Sequence, residues 1–346
     1  MAITGVSGVI GQRVLPLLDA DAEVDRIVGL DVRDPARRAR RFEFHRVDVA
    51  SGELKPLLEG VDVVVHLAAL PDAITDESLM GRVNVDGTRR VLEAATSAGV
   101  GRVVRVSSAT VYGAWANNPV PLTEDAPLRP NPRFAPAVVA AEVERLLFDW
   151  HDQHADGTVT VLRAAPIMGA ASGTDHLSAR LVAGRPALRI RGANPPVQVA
   201  HVDDVAAAVA LAVGRPLPGA YNLACDGWLA PDAALALMPR RLVPALPGGL
   251  VERALTRARR LGLPGVSPGI VPYLTHPWVV ANDRLRAAGW SPAHTNEDTI
   301  LETGDAARSR LPLVIAAGAA GAATAAVGVV AARRRRDRST RLRDHA

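Results

Sequence analysis

Residues 4–11 read TGVSGVIG, with glycines at 5, 8 and 11, directly after a short apolar start and directly before a stretch, 12–18, that can be helical. Glycines in such a turn let the backbone approach a pyrophosphate, and the helix N-terminus behind it offers free N–H groups and a favourable dipole. Asp31 ends the next apolar run, IVGLD, twenty residues after Gly11. There a carboxylate can hydrogen-bond both hydroxyls of a ribose. It also repels a 2′-phosphate, which favours NAD over NADP, and Arg33 nearby moderates that preference.

Working outward, the first half of the 346 residues alternates apolar runs with helix-period stretches. Strands are expected at 27–30, 42–47, 61–67, 103–106 and 159–162, with helices at 82–98 and 137–154. This alternation predicts an α/β fold, a Rossmann-like, doubly wound parallel sheet covered on both faces. The nearly continuous run VDVVVHL at 61–67 suits a strand buried on both sides. Only residues 1–4 precede the turn, although the first strand should lie in the middle of the sheet: either the sequence starts a few residues late or that strand is unusually short. After Arg163 the rhythm loosens and Pro and Gly accumulate. Short strands at 197–201 and 221–224 and helices at 204–213 and 250–260 are expected there. The reading is a dinucleotide-binding domain over 1–163 and a smaller C-terminal substrate lobe, interleaved with the sheet, over 164–305.

Composition narrows the function. Hydrophobic residues make up 48% and charged residues 22%, a globular balance. Aromatic residues are only 3%, which leaves few rings for stacking on nucleic acid. The last fourteen residues, RRRRDRSTRLRDHA, hold seven Arg against two Asp, so residues 1–332 carry a net charge of −1 and the formal +4 belongs to the tail. Nucleic acid is therefore not the expected partner. One cysteine, Cys225, excludes an intrachain disulfide and a multi-cysteine metal cluster, and no metal site is expected. Thirty-nine of the forty basic residues are Arg; the one Lys is Lys55.

Residues 311–332 contain no charge, ten Ala and three Gly, and run directly into Arg333–Arg336. Twenty-two helical residues span a bilayer core. This C-terminal apolar helix is expected to be a transmembrane or membrane-anchoring segment, with residues 333–346 as an Arg-rich tail facing anionic lipid. The positive-inside rule would place the tail in the cytoplasm and the large domain outside. The chain opens MAITGVSG without a basic region or long apolar run, so a cytoplasmic, membrane-associated domain is expected instead, either with the short tail translocated or with the segment lying in the interface as a basic anchor.

Nine short motifs in register over residues 1–300 make the chain similar to the extended short-chain dehydrogenase/reductase family, the NAD-dependent epimerase/dehydratase group. They are TGVSGVIG, the strand-end Asp31, Asp48–Val49, HLAA at 66–69, NVDGT at 84–88, SSATVYG at 107–113, LRAAPIMG at 162–169, VQVAHVDDVA at 197–206 and GWSP at 289–292. The resemblance implies NAD as cofactor and a nucleotide sugar or another hydroxyl-bearing small molecule as substrate, and it leaves room for a homodimer. It implies cofactor contacts from Gly5, Ser7, Gly8, Val9, Ile10 and Gly11, from Asp31, from Asp48 and Val49 beside adenine, and from Leu67, Ala68, Ala69, Asn84 and Ser107. His66 reads as a packed strand residue.

In that family a Tyr and a Lys four residues later carry the proton chemistry, with a Ser orienting the substrate oxygen. Ser108 stands at the Ser position, but Pro136 and Ala140 stand where the Tyr and Lys would be. No Tyr anywhere in the chain is followed by Lys at that spacing, since Tyr112, Tyr221 and Tyr273 precede Ala116, Cys225 and Pro277. Lys55 lies in the early nucleotide half. Removing a positioned acid/base group costs about 10²–10⁴ in rate, so ordinary turnover is expected to be severely reduced or absent. Ser108 is then a residual catalytic residue. Tyr112 lacks an evident cationic neighbour, and His201 and Asp203 fit a structural turn better than chemistry. The competing expectation is a pseudoenzyme, a non-catalytic, membrane-associated, NAD-responsive scaffold or regulator.

Overall fold

The computed structural model describes residues 1–70, 76–154, 156–169, 190–237, 245–261 and 267–306. Seven parallel strands form the central sheet in the order β3-β2-β1-β4-β5-β6-β9. They are β1 (Ala2–Thr4), β2 (Ile27–Asp31), β3 (Phe42–Arg46), β4 (Val63–His66), β5 (Arg102–Ser108), β6 (Thr158–Ala164) and β9 (Gly219–Leu223); β7 (Ile167–Met168) and β8 (Ala200–His201) pair separately. Helices among the described residues include α1 (Gly11–Ala20), α2 (Glu77–Met80), α3 (Gly87–Ala98), α4 (Ala135–Gln153), α5 (Val202–Gly214), α6 (Pro231–Leu237), α7 (Gly248–Arg260) and α8 (Asp283–Ala287).

Side-chain alternation explains the two covered faces. Ala2, Val64 and Val103 are register partners on one side of the sheet, and Ile3, Val65 and Val104 are register partners on the other. The first set packs toward α3 and α4 through Val91, Ala95, Val143 and Leu147. The second packs toward α1 and α5 through Val14, Leu18, Val205 and Val209. All six strand residues are buried, as a parallel sheet with helices on both faces requires. Although β1 has only three residues, it pairs with β2 on one side and β4 on the other.

Residues Met1–Gly304 form one compact unit. Within it, β9 and α5, from beyond Arg163, join the sheet and its cover. The helix expected over 82–98 begins as a wider π-helical turn, Gly81–Asp86, before α3. Asn84 in that turn is tied by its side chain to Leu70, accepting from the Leu70 N–H at 2.7 Å. Among the described residues no helix is long and apolar enough to cross a membrane. The apolar segment 311–332 and the Arg-rich tail 333–346 lie outside the described residues.

Candidate functional site

Chain order reverses between β1 and β4: β2 and β3 extend the sheet one way, β4, β5, β6 and β9 the other. Ligands of doubly wound folds bind in the crevice beyond the strand ends at such a switch. The TGVSGVIG turn leaves β1 at this point, and Leu67–Ala69 leave β4 beside it. Gly5 has φ +72°, and a Cβ there would lie 2.6 Å from the Ala68 nitrogen. A Cβ on Gly11 would lie 2.6 Å from the Val6 carbonyl oxygen. Only glycine permits this close packing. Among the described residues the N–H groups of Val9, Ile10 and Gly11 find no hydrogen-bond partner, and all three residues line the cavity at the start of α1. Free amides on a helix N-terminus fit a pyrophosphate.

Asp31 accepts hydrogen bonds from the Ser7 N–H (2.9 Å) and the Arg33 N–H (3.0 Å), one on each carboxylate oxygen. Each oxygen keeps lone-pair capacity for a ribose hydroxyl. Ser7 Oγ donates to the Arg33 carbonyl, fixing the two loops together. Asp48 holds its own turn, accepting from the Ala50 N–H and Ser51 Oγ, and Val49 is packed in the core beneath α3.

A cavity of about 400 Å³ runs from this turn across the sheet's edge. Gly5, Ser7, Gly8, Val9, Ile10, Gly11, Leu67, Ala69, Asn84, Ser107 and Ser108 all line it; Asp31, Asp48, Val49 and Ala68 do not. The far wall comes from Pro136, Val139, Ala140 and Val143 on α4 and from Ile270, Tyr273, Leu274 and Trp278. The sequence did not mark this second wall segment. It lies in the region where periodicity is weak, and its signal is one of aromatic residues in an aromatic-poor chain.

The motif after β4 is locked from below. Thr4 Oγ1 lies 2.6 Å from His66 Nδ1, and His66 Nε2 lies 2.9 Å from Thr88 Oγ1, which donates to the Asn84 carbonyl. With the Thr88 proton so committed, Thr88 accepts from His66 Nε2–H, and Nδ1 accepts from Thr4. Burial, with the Arg105 guanidinium nearby, pushes His66 well below the usual histidine range, so the ring is neutral. It is a packed strand residue, as expected from the sequence.

Ser108 Oγ accepts from the Thr110 N–H (3.2 Å) and from Thr110 Oγ1 (2.9 Å), leaving its own proton to donate. Ser107 Oγ is engaged behind the cavity wall, donating to Glu144 at 2.6 Å. Pro136 sits in the first turn of α4, where a missing N–H costs nothing, and Ala140 follows one turn later.

Tyr112 departs from expectation. It has a cationic neighbour, since Arg163 Nη1 donates to its hydroxyl at 2.8 Å. Yet Tyr112 does not line the cavity, its hydroxyl donates to Asn222, and burial raises its pKa despite Arg163. It is a buried structural phenol. Tyr273 does line the cavity, but its hydroxyl donates to the Thr110 carbonyl at 2.8 Å, and burial raises its pKa as well. His201 caps α5, lies 2.9 Å from Glu302 and stacks on His294; Asp203 pairs with Arg13. Neither His201 nor Asp203 lines the cavity. Asp204 accepts from the backbone N–H groups of Ala293 and His294, and its carbonyl accepts from Trp290 Nε1. The VQVAHVDDVA and GWSP motifs thus meet in a structural clasp.

A family model described as the NAD dependent epimerase/dehydratase family matches residues 1–224. The chain belongs to this family. A 3-diazoavenalumate denitrifying reductase from a Streptomyces species is 32% identical over 327 residues, covering 84% of this chain and 95% of that protein. A dTDP-glucose 4,6-dehydratase from Streptomyces griseus is 34% identical over 157 residues, 41% of this chain; the match spans only 47% of that relative's length. Among solved structures, a UDP-glucuronic acid 4-epimerase from Bacillus cereus, in complex with UDP-glucuronic acid and NAD, has a TM-score of 0.71 at 18% identity. That similarity covers 89% of this chain and 98% of the epimerase, and it establishes that this epimerase/dehydratase family member has the same fold.

Proposed function

We propose that this family member binds NAD in the cavity at the β1/β4 switch and acts there on a hydroxyl-bearing small molecule of the nucleotide-sugar class. Turnover by the usual Tyr/Lys mechanism would be severely reduced. Bound NAD would supply a hydride acceptor or donor. The free amides of Val9, Ile10 and Gly11 would hold its pyrophosphate, and the Asp31 carboxylate its adenosine ribose. The observation that carries the reading is one cavity that begins at these amides and ends on a wall where Pro136, Val139 and Ala140 present carbon and Tyr273 holds a committed, protonated hydroxyl.

A second reading, hydride delivery to a substrate that requires no proton exchange with a side chain, draws on the same carbon wall and on the relative named as a denitrifying reductase. A non-catalytic, NAD-responsive scaffold would bind NAD and turn over nothing.

Calorimetry on the full chain tests the cofactor assignment. NAD is expected to bind at least about tenfold more tightly than NADP, because Asp31 repels a 2′-phosphate. Absence of heat and of any thermal shift at millimolar NAD would remove the assignment.

We also propose that residues 311–346 hold a cytoplasmic domain on the membrane. Full-length protein is expected to sediment with membranes and to resist high-salt extraction. Release by salt would mean that only the Arg run is engaged.

A further inference from the structure

Arg105 lies in the middle of β5, in the motif RVVRVSS, and is 7% exposed. Its backbone is the register partner of His66 on β4. Its side chain runs toward the end of that neighbouring strand, where Nη1 donates to the carbonyls of His66 (2.9 Å) and Ala68 (3.2 Å). Buried Nε has no hydrogen-bond partner. Arg105 lines the cavity, and among the described lining residues the charged side chains are Arg33 and Arg105, with no carboxylate.

The contrast with Arg163, on the next strand, shows what Arg105 lacks. Arg163 is equally buried, but Glu144 receives its guanidinium at 2.9 Å. Burial alone would lower the pKa of Arg163, yet Glu144 and Tyr112 hold it above the usual value. For Arg105 burial wins over the more distant Glu144, and its pKa is pushed down to about 10. A buried cation without a direct anionic partner is unfavourable unless a ligand completes it.

The place of Arg105 indicates which ligand. Asp31 ends β2, on one side of β1; Arg105 belongs to β5, on the other side, beyond β4. A single residue, Ala68, separates it from the glycine turn: a Cβ on Gly5 would meet the Ala68 nitrogen, while the Ala68 carbonyl receives Arg105. With an adenosine ribose at Asp31 and a pyrophosphate on the α1 amides, the second half of a dinucleotide would extend along the lining past Leu67 and Ala69 toward Arg105.

We propose that the Arg105 guanidinium is a binding group of this site that holds the ribose and phosphate oxygens of the dinucleotide on the side away from adenosine. The inference rests on the cofactor reading above.

The test compares NAD, ADP-ribose and AMP by calorimetry on full-length wild type, Arg105→Met and Arg105→Gln. Both substitutions remove the charge, and Gln retains a donor for the His66 and Ala68 carbonyls. NAD and ADP-ribose affinity are expected to fall at least about tenfold in either variant, AMP affinity by less than about threefold, and the melting temperature of the ligand-free protein not to fall. Should the Met variant fail to fold, the Gln variant carries the same expectation. Unchanged NAD affinity in a folded variant overturns the inference alone. An equal loss for AMP, or a loss that tracks a lowered melting temperature in both variants, assigns Arg105 a structural role and overturns it too. If wild type binds no NAD, the cofactor reading falls and takes the inference with it.

Discussion

The double variant Pro136→Tyr with Ala140→Lys is expected to gain about 10²–10⁴-fold in NAD-linked turnover on a suitable nucleotide sugar. Positions 136 and 140 lie four residues apart on α4, and both line the cavity, so the two new side chains would share one helical face. A lysine ammonium beside the new phenol would lower its pKa, which Tyr273 cannot match, because burial raises the pKa of that hydroxyl and it is engaged with the Thr110 carbonyl. Ser108 is already in the lining with its own proton free to donate. Pro136→Tyr alone is expected to gain much less, since its phenol would stay protonated at neutral pH. The measurement is the rate of NAD reduction or sugar conversion across a nucleotide-sugar panel. No gain with any member would show that the substrate end of the cavity has diverged along with the pair, and would favour a reaction without side-chain proton transfer.

What the sequence revealed and what it concealed follow from one distinction. Features written along the chain were legible. The TGVSGVIG spacing placed the turn, and VDVVVHL placed a strand whose described core, Val63–His66, is fully buried. The alternating rhythm implied the doubly wound sheet. Features created by pairing across the sheet were not legible. RVVRVSS reads as a strand, but that Arg105 aligns with His66 and reaches the Ala68 carbonyl is a matter of β4/β5 register. The expectation that Tyr112 lacks a cation failed for the same reason, because Arg163 arrives from β6, fifty-one positions later. The wall formed by Ile270, Tyr273 and Trp278 reaches the cavity through contacts distant in sequence, with the Thr110 carbonyl and the Phe134 ring. No local period announces it.

Glu144→Ala is expected to destabilise the protein by about 3–5 kcal/mol, a large share of the roughly 5–15 kcal/mol typical of a folded domain. The Glu144 side chain is fully buried and accepts from Arg163 Nε at 3.0 Å and from Ser107 Oγ at 2.6 Å, with Arg163 Nη2 in ion-pair contact at 2.9 Å. Truncation leaves the Arg163 charge buried without its carboxylate and the Ser107 hydroxyl without its acceptor. The cost is that of an orphaned charge more than of a lost bond. Urea denaturation should show the midpoint falling at constant slope. The reciprocal experiment separates the two causes: the double variant Glu144→Leu with Arg163→Met removes both charges and should recover most of the loss, because a buried ion pair replaced by carbon of similar volume is often neutral. Tyr112 keeps its bond to Asn222 in that variant, while Ser107 Oγ loses its Glu144 acceptor and the Glu124 carbonyl its Arg163 donor, so the recovery is incomplete. If the double variant is as unstable as Glu144→Ala, the pair's value lies in positioning Ser107 and α4 rather than in charge balance. NAD affinity, measured on the same proteins, would then fall in step with stability.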